Sequence, residues 1–220
     1  MVVGAPWADG NKGAAYIYAR SSASWALKKQ LVTAAQQTAF GASVAIDQDV
    51  IAIGAPEDKS AAAGGDGDAA AAPTGSGLGA AFVYRQAGSD WTKEAYIKAT
   101  NPRPFARFGS SLSLAQGSLV VGAHGEPSLT TGIDSIPNAD GSEIGAAYVF
   151  RRASDVWSQK AYVKPPIAHN GDVFGASVAT DGDTLLVGSP GESSNAAGIT
   201  IDPNDASATR VNGSGAAYVF

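Results

Sequence analysis

The sequence has no cysteine, a single methionine and only 16% charged residues over its 220 positions. Without cysteine, disulfides and thiolate metal sites cannot form. No run approaches the roughly 20 apolar residues that cross a bilayer as a helix. The formal net charge of −5 disfavours the basic face that nucleic acid binding requires. We therefore predict no membrane span in this segment and no nucleic acid partner.

What is abundant is glycine, with 27 residues, together with 11 prolines and 45% hydrophobic residues. This apolar content excludes a disordered chain. Frequent glycine and proline suit short strands joined by turns better than they suit helices. The composition therefore favours an all-β protein.

Four short motifs recur in one order along the chain. Phe40-Gly41 returns at Phe108-Gly109 and Phe174-Gly175, with glycine spacings of 109 − 41 = 68 and 175 − 109 = 66. The other motifs are a Val/Ile-Gly-Ala/Ser-Pro/His segment beginning at Val3, Ile53, Val121 and Val187, a Gly-Ala-Ala segment beginning at Gly13, Gly79, Gly145 and Gly215, and a tryptophan at Trp25, Trp91 and Trp157. Self-similarity at a fixed period predicts a repeat protein. We divide the single region 1–220 into units of approximately 1–39, 40–107, 108–173 and 174–220, the first and last incomplete.

Each repeat contains segments typical of strands. Val50-Ile51-Ala52-Ile53 is an aliphatic run ended by Gly and Pro, as expected of a strand buried on both faces. Ala147-Tyr148-Val149-Phe150 places its aromatics on alternate positions, and Ala95-Tyr96-Ile97-Lys98 ends in charge, as an outer strand would. Four antiparallel strands cannot bury both of their faces alone, so neighbouring repeats must stack.

The sequence thus predicts an all-β β-propeller built of four-stranded antiparallel blades, with about 3.5–4 blades present. We count fourteen strands, with three in each of the first and last units and four in each of the two middle units. An open arc from a longer protein is our expectation, and a compact four-bladed ring is the alternative.

The combination of Phe40-Gly41 with Gly54-Ala55-Pro56 resembles the FG-GAP repeats of the integrin α-subunit propeller. Bacterial FG-GAP repeat proteins are more similar still, through segments such as 191–196 and 213–220, and the resemblance covers essentially the whole chain. It implies a β-propeller, a secreted or cell-surface location, and a role in adhesion or in recognition of a protein or glycan. The remaining blades are expected in a longer chain.

One departure from that family concerns calcium. In integrin-type repeats, an Asp-x-Asp-x-Asp-Gly loop between the first two strands often holds Ca²⁺. Here the corresponding turns are only Asp47-Gln48-Asp49, Gln116-Gly117-Ser118 and Asp181-Gly182-Asp183. Ca²⁺ takes six to eight oxygen ligands, which such tight turns cannot supply. We interpret their aspartates as turn formers.

The loops between second and third strands are unusually long. The first, Trp7 to Lys12, has six residues, whereas 57–78, 125–144 and 191–214 have 22, 20 and 24. Long loops on a rigid scaffold often carry recognition, and flexible surface loops are the alternative. Their oxygen-rich side chains are candidate Ca²⁺ ligands, although ordinary turn chemistry accounts for several. The candidates are Asp58, Asp66, Asp68, Asp134, Asn138, Asp140, Glu143, Asp202, Asn204 and Asp205.

The sequence offers little support for catalysis. His124 and His169 occupy different repeat positions, and no nucleophile elbow, zinc motif or paired carboxylates stand out. We predict no catalytic and no cofactor-binding residues, and a non-enzymatic protein. A propeller hydrolase or lyase acting on extracellular polysaccharide is the alternative, because propellers also host enzymes. Glu57, Glu126 and Glu192 are expected on one rim, either exposed or hydrogen-bonded to the neighbouring blade.

Overall fold

The computed structural model describes residues 1–34, 38–60, 75–194, 198–199 and 213–220. Within these residues the chain forms fourteen strands and one irregular turn, α1 (Ala8–Asn11), in which Asp9 and Gly10 have positive φ. The strands are β1 (Val2–Ala5), β2 (Ala14–Ser21), β3 (Ser24–Leu31), β4 (Val44–Asp47), β5 (Val50–Ala55), β6 (Ala80–Ala87), β7 (Asp90–Ile97), β8 (Ser111–Ala115), β9 (Ser118–Ala123), β10 (Ala146–Ala153), β11 (Val156–Val163), β12 (Ser177–Thr180), β13 (Leu185–Ser189) and β14 (Ala216–Val219).

The strands form four antiparallel meanders, each in chain order: β1-β2-β3, β4 to β7, β8 to β11, and β12-β13-β14. Contacts join β1 to β4, β4 to β8, and β8 to β12, so the four sheets follow one another in a row. The predicted all-β fold with blades of three, four, four and three strands is confirmed.

The second strand of each complete blade lies at the centre of the core. All six residues of β9 are buried, as are five of the six residues of β5. Both strands are rich in Val, Leu and Ile and have a blade on either side, which accounts for their continuous apolar sequence. The prediction of strands buried on both faces is therefore confirmed.

Phenylalanine and glycine of the repeated Phe-Gly motif connect neighbouring blades. Phe108 forms a parallel bridge with Gly79 of the preceding blade, and its buried ring packs edge-on against Tyr148 and Phe150. Phe40 and Phe174 form the equivalent bridges to Gly13 and Gly145, respectively. The ring thus anchors the start of each blade in its own core while the backbone holds the previous blade.

The glycine of the Gly-Ala-Pro motif lets two blades touch through their backbones. A Cβ atom on Gly54 would overlap the carbonyl oxygen of Gly109 in the next blade. Ser43, beside Gly54, donates a hydrogen bond of 2.7 Å to that same carbonyl oxygen, and Ser111 donates likewise to Gly175 at 2.8 Å. We call this contact the glycine seam.

The two end sheets expose side chains whose equivalents are buried between blades. Trp25 on the first sheet is 51% exposed, whereas the equivalent Trp157 is 2% exposed. On the last sheet Leu186 is 43% exposed, and the equivalent Val120 is 1% exposed. These faces agree with the expected open row of blades. No helix in the described part of the chain is both long and apolar enough to span a membrane.

Candidate functional site

The long loops leave and re-enter the sheets at the same end as the connections between blades, because strands alternate in direction along each meander. We call this end the loop face. It comprises the loop after β9, the described residues of the loops after β5 and β13, and the connections after β7 and β11. The short hairpins that join first to second and third to fourth strands lie at the opposite end, the hairpin face.

A buried ion pair holds the start of the loop in the second blade. Lys98 Nζ lies 3.0 Å from Asp58 Oδ1, and both side chains are almost completely buried. Tyr96 donates its hydroxyl to the same carboxylate at 2.8 Å, and the backbone N–H of Ser60 donates at 3.0 Å. The Asp58 carboxylate therefore receives one cation and two neutral donors without contact with solvent.

The third blade repeats this arrangement with a glutamate. Lys164 Nζ lies 2.8 Å from Glu126 Oε2, and neither side chain is exposed. Ser128 donates to the carboxylate through its hydroxyl, at 2.6 Å, and through its N–H, at 3.1 Å. Lys164 also donates to the carbonyl oxygen of Gly145 at 2.5 Å. A buried charge pair of this kind is tolerated only when further hydrogen bonds satisfy both partners, as they do here.

Burial dominates the electrostatics of these pairs. It lowers the pKa of Lys98 and of Lys164, and the negative charges of Asp58 and Glu126 oppose that shift. Burial has the opposite effect on Tyr162: it raises the pKa of the hydroxyl, and the negative charge of Glu126 raises it further. Each lysine therefore depends on its carboxylate for a favourable charged state.

Each acid also joins the two ends of its loop. The carbonyl oxygen of Asp58 accepts from Gly79 N at 3.0 Å, and that of Glu126 accepts from Gly145 N at 2.9 Å. Gly79 and Gly145 immediately precede β6 and β10. A long loop thus leaves and re-enters the sheet at one fixed point.

The predicted equivalence of Glu57 with Glu126 and Glu192 is wrong. Counting four residues from the motif glycine, Asp58 and not Glu57 is equivalent to Glu126 and Glu192. Glu57 lies at the surface, 3.6 Å from Arg107. The expected hydrogen bond to the neighbouring blade is also wrong, because Asp58 and Glu126 pair with a lysine of their own blade.

In the third blade, the loop after β9 crosses the sheet and covers its outer edge. Asp134 N donates to Tyr162 O at 2.8 Å, and Lys164 N donates to Gly132 O at 2.9 Å. The Asp134 carboxylate accepts from Tyr162 N at 2.9 Å. A strand edge that would otherwise present unpaired backbone groups is thereby occupied. The loop is fixed at its ends and at its middle.

The same loop presents apolar side chains to solvent. Ile136 is 87% exposed, Ile133 is 57% exposed, and Leu129 is also exposed. Phe105, in the connection between the second and third blades, is exposed on the same face. Sequence reasoning missed these residues because it considered only the polar composition of the loops.

The candidate Ca²⁺ ligands fall into three groups. Asp58 is engaged by Lys98, and Asp134 and Asn138 accept backbone N–H groups of Tyr162 and Leu129. Asp140 and Glu143 are exposed. The candidates that lie outside the described residues are Asp66, Asp68, Asp202, Asn204 and Asp205. The described ranges contain no group of three or more His, Cys, Asp or Glu side chains arranged to hold a metal. Calcium binding stays a prediction.

The hairpin face carries a cleft of about 270 Å³ between the second and third blades, partly lined by Trp157. The aspartates of this cleft are engaged by other groups of the protein: Asp49 pairs with Arg85 at 2.9 Å, and Asp47 accepts a hydrogen bond from Gln116 N at 2.8 Å.

In the last blade, Asp181 accepts hydrogen bonds from the N–H groups of Asp183 and Thr184, which confirms its role as a turn former.

The two histidines lie apart from this cleft. His124 contacts Arg107 at 3.3 Å, and burial together with the Arg107 charge lowers its pKa. His169 donates its backbone N–H to Asp172 at 2.7 Å. Each is therefore held in a local contact of its own on the loop face.

A row of three- and four-stranded antiparallel blades joined by glycine seams defines a protein of the β-propeller repeat class. Within that class, residues 91–150 and 157–200 match the family model described as FG-GAP repeat. The chain therefore contains FG-GAP repeats in these two stretches. No curated protein matches its sequence.

Proposed function

We propose that this protein is a non-enzymatic recognition module, secreted or displayed at a cell surface, that binds a protein partner through its loop face. The observation that carries the proposal is Ile136, which is 87% exposed on a loop fixed by hydrogen bonds at both ends and in the middle. Leu129 and Ile133 of the same loop are exposed as well, and clustered exposed apolar side chains, unlike single ones, mark interaction surfaces.

The rigidity of the loop supports this proposal. Ordering a flexible loop on binding lowers affinity, so a loop ordered in advance binds more tightly for the same contacts. Here the Glu126–Lys164 pair and the backbone bridge to Tyr162 provide that order. Exposed aliphatic and aromatic residues, such as Ile136 and Phe105, match the apolar centre of protein interfaces and favour a protein over a glycan.

The engagement of the cleft aspartates supports the absence of catalysis, because Asp47 and Asp49 already hold Gln116 and Arg85. An assay for release of reducing sugars from a panel of polysaccharides tests this part of the proposal. Fractionation of expressing cells tests the extracellular location.

Binding is tested with immobilised matrix proteins and oligosaccharides as probes, comparing Ile136→Thr with Val156→Thr. Both residues are exposed β-branched aliphatics, but Val156 lies at the hairpin face. We expect Ile136→Thr to weaken protein binding about tenfold or more and Val156→Thr to leave it unchanged. Equal effects of the two substitutions, or binding to oligosaccharides alone, would contradict the proposal.

A further inference from the structure

The connection between the second and third blades holds an exposed aromatic ring on a backbone conformation that favours glycine. Phe105 is 63% exposed, and its φ is +61°. Bulky residues rarely adopt this left-handed region, because the Cβ atom crowds the following carbonyl oxygen. Among the described residues, Phe105 is the one large exposed hydrophobic side chain with a positive φ. We propose, in a refinement that rests on the recognition function above, that Phe105 is the anchor residue of the loop face and enters an apolar pocket of the protein partner.

The next connection along the chain forms the same turn with glycine at this position. Gly171 follows Phe105 at the repeat spacing of 171 − 105 = 66 residues, and its φ is +83°. Gly171 N donates to Ser142 O at 3.1 Å, as Phe105 N donates to Ser76 O at 2.8 Å. The turn itself therefore does not require phenylalanine, and glycine is the residue that adopts it without strain.

Contacts on both sides hold the Phe105 backbone in this conformation. Towards the second blade, Arg107 N donates to Gly77 O at 2.8 Å. Towards the third blade, Gly125 N donates to Ala106 O at 3.1 Å, and a Cβ atom on Gly125 would lie only 2.0 Å from the Phe105 carbonyl oxygen. The connection is thus fixed between two blades, and the direction in which the Phe105 side chain leaves the backbone is fixed with it.

The ring of Phe105 gains little from burial within its own chain. Phe108, three residues later, is completely buried and packs edge-on against Tyr148 and Phe150, whereas most of Phe105 faces solvent. A strained residue without compensating burial is typical of a functional site. An aromatic side chain has only two rotatable bonds, so covering it costs little entropy, and aromatic residues are enriched at the centres of protein interfaces. These properties favour an apolar pocket on the partner as the surface that covers Phe105.

Two substitutions at Phe105 separate the contribution of the ring from that of the strain. Phe105→Ala removes the ring but keeps a Cβ atom in the left-handed conformation, and Phe105→Gly removes both. We expect each substitution to weaken binding to the immobilised matrix proteins about tenfold or more. In thermal melting without a partner, Phe105→Ala should lie within about 2 °C of the unmodified protein, and Phe105→Gly should melt about 2 °C or more above Phe105→Ala.

Gly171→Ala is the matched control for the strain. A Cβ atom at Gly171 would meet nothing within 4 Å, so a change in stability reports the backbone conformation alone. Gly171→Ala should lower the melting temperature by about 2 °C or more and leave binding unchanged.

The binding and melting measurements can each overturn the proposal. Unchanged binding by both Phe105 variants, while Ile136→Thr weakens it, would overturn the anchor role alone and leave the recognition function standing. A melting temperature of Phe105→Ala more than about 5 °C below that of the unmodified protein would assign the ring a structural role. Equal melting temperatures of the two Phe105 variants would show that the backbone is unstrained and would also overturn the proposal. If the unmodified protein binds none of the matrix proteins, the recognition function fails together with the anchor role.

Discussion

Lys164 Nζ and Glu126 Oε2 lie 2.8 Å apart in the core of the third blade, and neither side chain reaches solvent. Removing one partner leaves an uncompensated buried charge, so we expect Lys164→Met to lower the free energy of unfolding by about 3–5 kcal/mol. Urea denaturation at neutral pH measures this change. Lys160→Met, at an exposed lysine of the same strand, is the matched control and should change stability by less than about 0.5 kcal/mol.

The first blade shows how this loss can be relieved. At the positions of Glu126 and Lys164 it has Ala8 and Val32, so acid and base are absent together. We therefore expect Glu126→Ala combined with Lys164→Val to be more stable than either single variant, with a favourable coupling of about 2 kcal/mol or more. Additive losses in this double-mutant cycle would show that the pair does not act as a unit.

Glu94 joins the second blade to the third. It accepts from Arg152 at 2.8 and 3.0 Å and from Trp157 Nε1 at 2.7 Å. Burial acts to raise the pKa of Glu94, but the hydrogen bonds from Arg152 and Trp157 outweigh it, so the pKa is lowered from 4.5. The stabilisation is complete above the unfolded-state value and is lost as the pH falls through the folded-state pKa.

We expect Glu94→Gln to lower the free energy of unfolding by about 2 kcal/mol at pH 7 and by progressively less below about pH 4.5. Urea titrations of both proteins from pH 7 to pH 3 provide the comparison, with Glu143→Gln as an exposed control. A difference that stays constant over this range would show that the carboxylate charge is not responsible.

The glycine seam predicts a severe effect of one methyl group. In Gly54→Ala the new Cβ would overlap the Gly109 carbonyl oxygen, and a backbone group cannot move aside as a flexible side chain can. We expect a loss of about 3 kcal/mol or more in the free energy of unfolding. Gly75→Ala is the control, because its Cβ would lie 3.3 Å from the Pro104 side chain, and it should cost less than about 1 kcal/mol. Similar losses for both would disprove the close approach.

The calcium prediction concerns the candidate loop ligands, of which Asp140 and Glu143 are exposed in the described part of the chain. A specifically bound ion stabilises the folded state by mass action, so millimolar Ca²⁺ should raise the melting temperature relative to EDTA. The combined variant Asp140→Asn, Glu143→Gln should reduce that shift if the ion binds in the 125–144 loop. An unchanged melting temperature would remove the prediction.

The blades followed from the sequence because their signals are local and repeated. The continuous aliphatic sequence of a strand such as β9 indicates that both of its faces are buried. The Phe-Gly spacing places that strand within a repeating unit. The lysines of the buried ion pairs also recur in the sequence, as Tyr-Ile-Lys before Ala99 and Tyr-Val-Lys before Pro165, but their partners could not be predicted. A lysine at the end of an outer strand is usually solvated, however, and only the folded loop shows that Asp58 meets Lys98.

The path of the 125–144 loop was beyond sequence reasoning. Its contact with β11 depends on backbone groups of Gly132 and Asp134, which any residues could supply. Composition gave no indication that Asp134 caps a strand edge or that Ile136 projects into solvent. Such features depend on the conformation of the loop backbone, and no periodic sequence pattern predicts that conformation.

The glycine seam sets the distance between the second and third blades through the backbones of Gly54 and Gly109, neither of which belongs to a long loop. The geometry of the scaffold is thus decoupled from whatever is inserted between second and third strands, which ranges from six residues at 7–12 to 24 at 191–214. The loop of one blade can be exchanged for that of another without changing the orientation of the neighbouring blades. FG-GAP blades of this kind therefore form a constant scaffold on which the inserted loops can vary independently of one another.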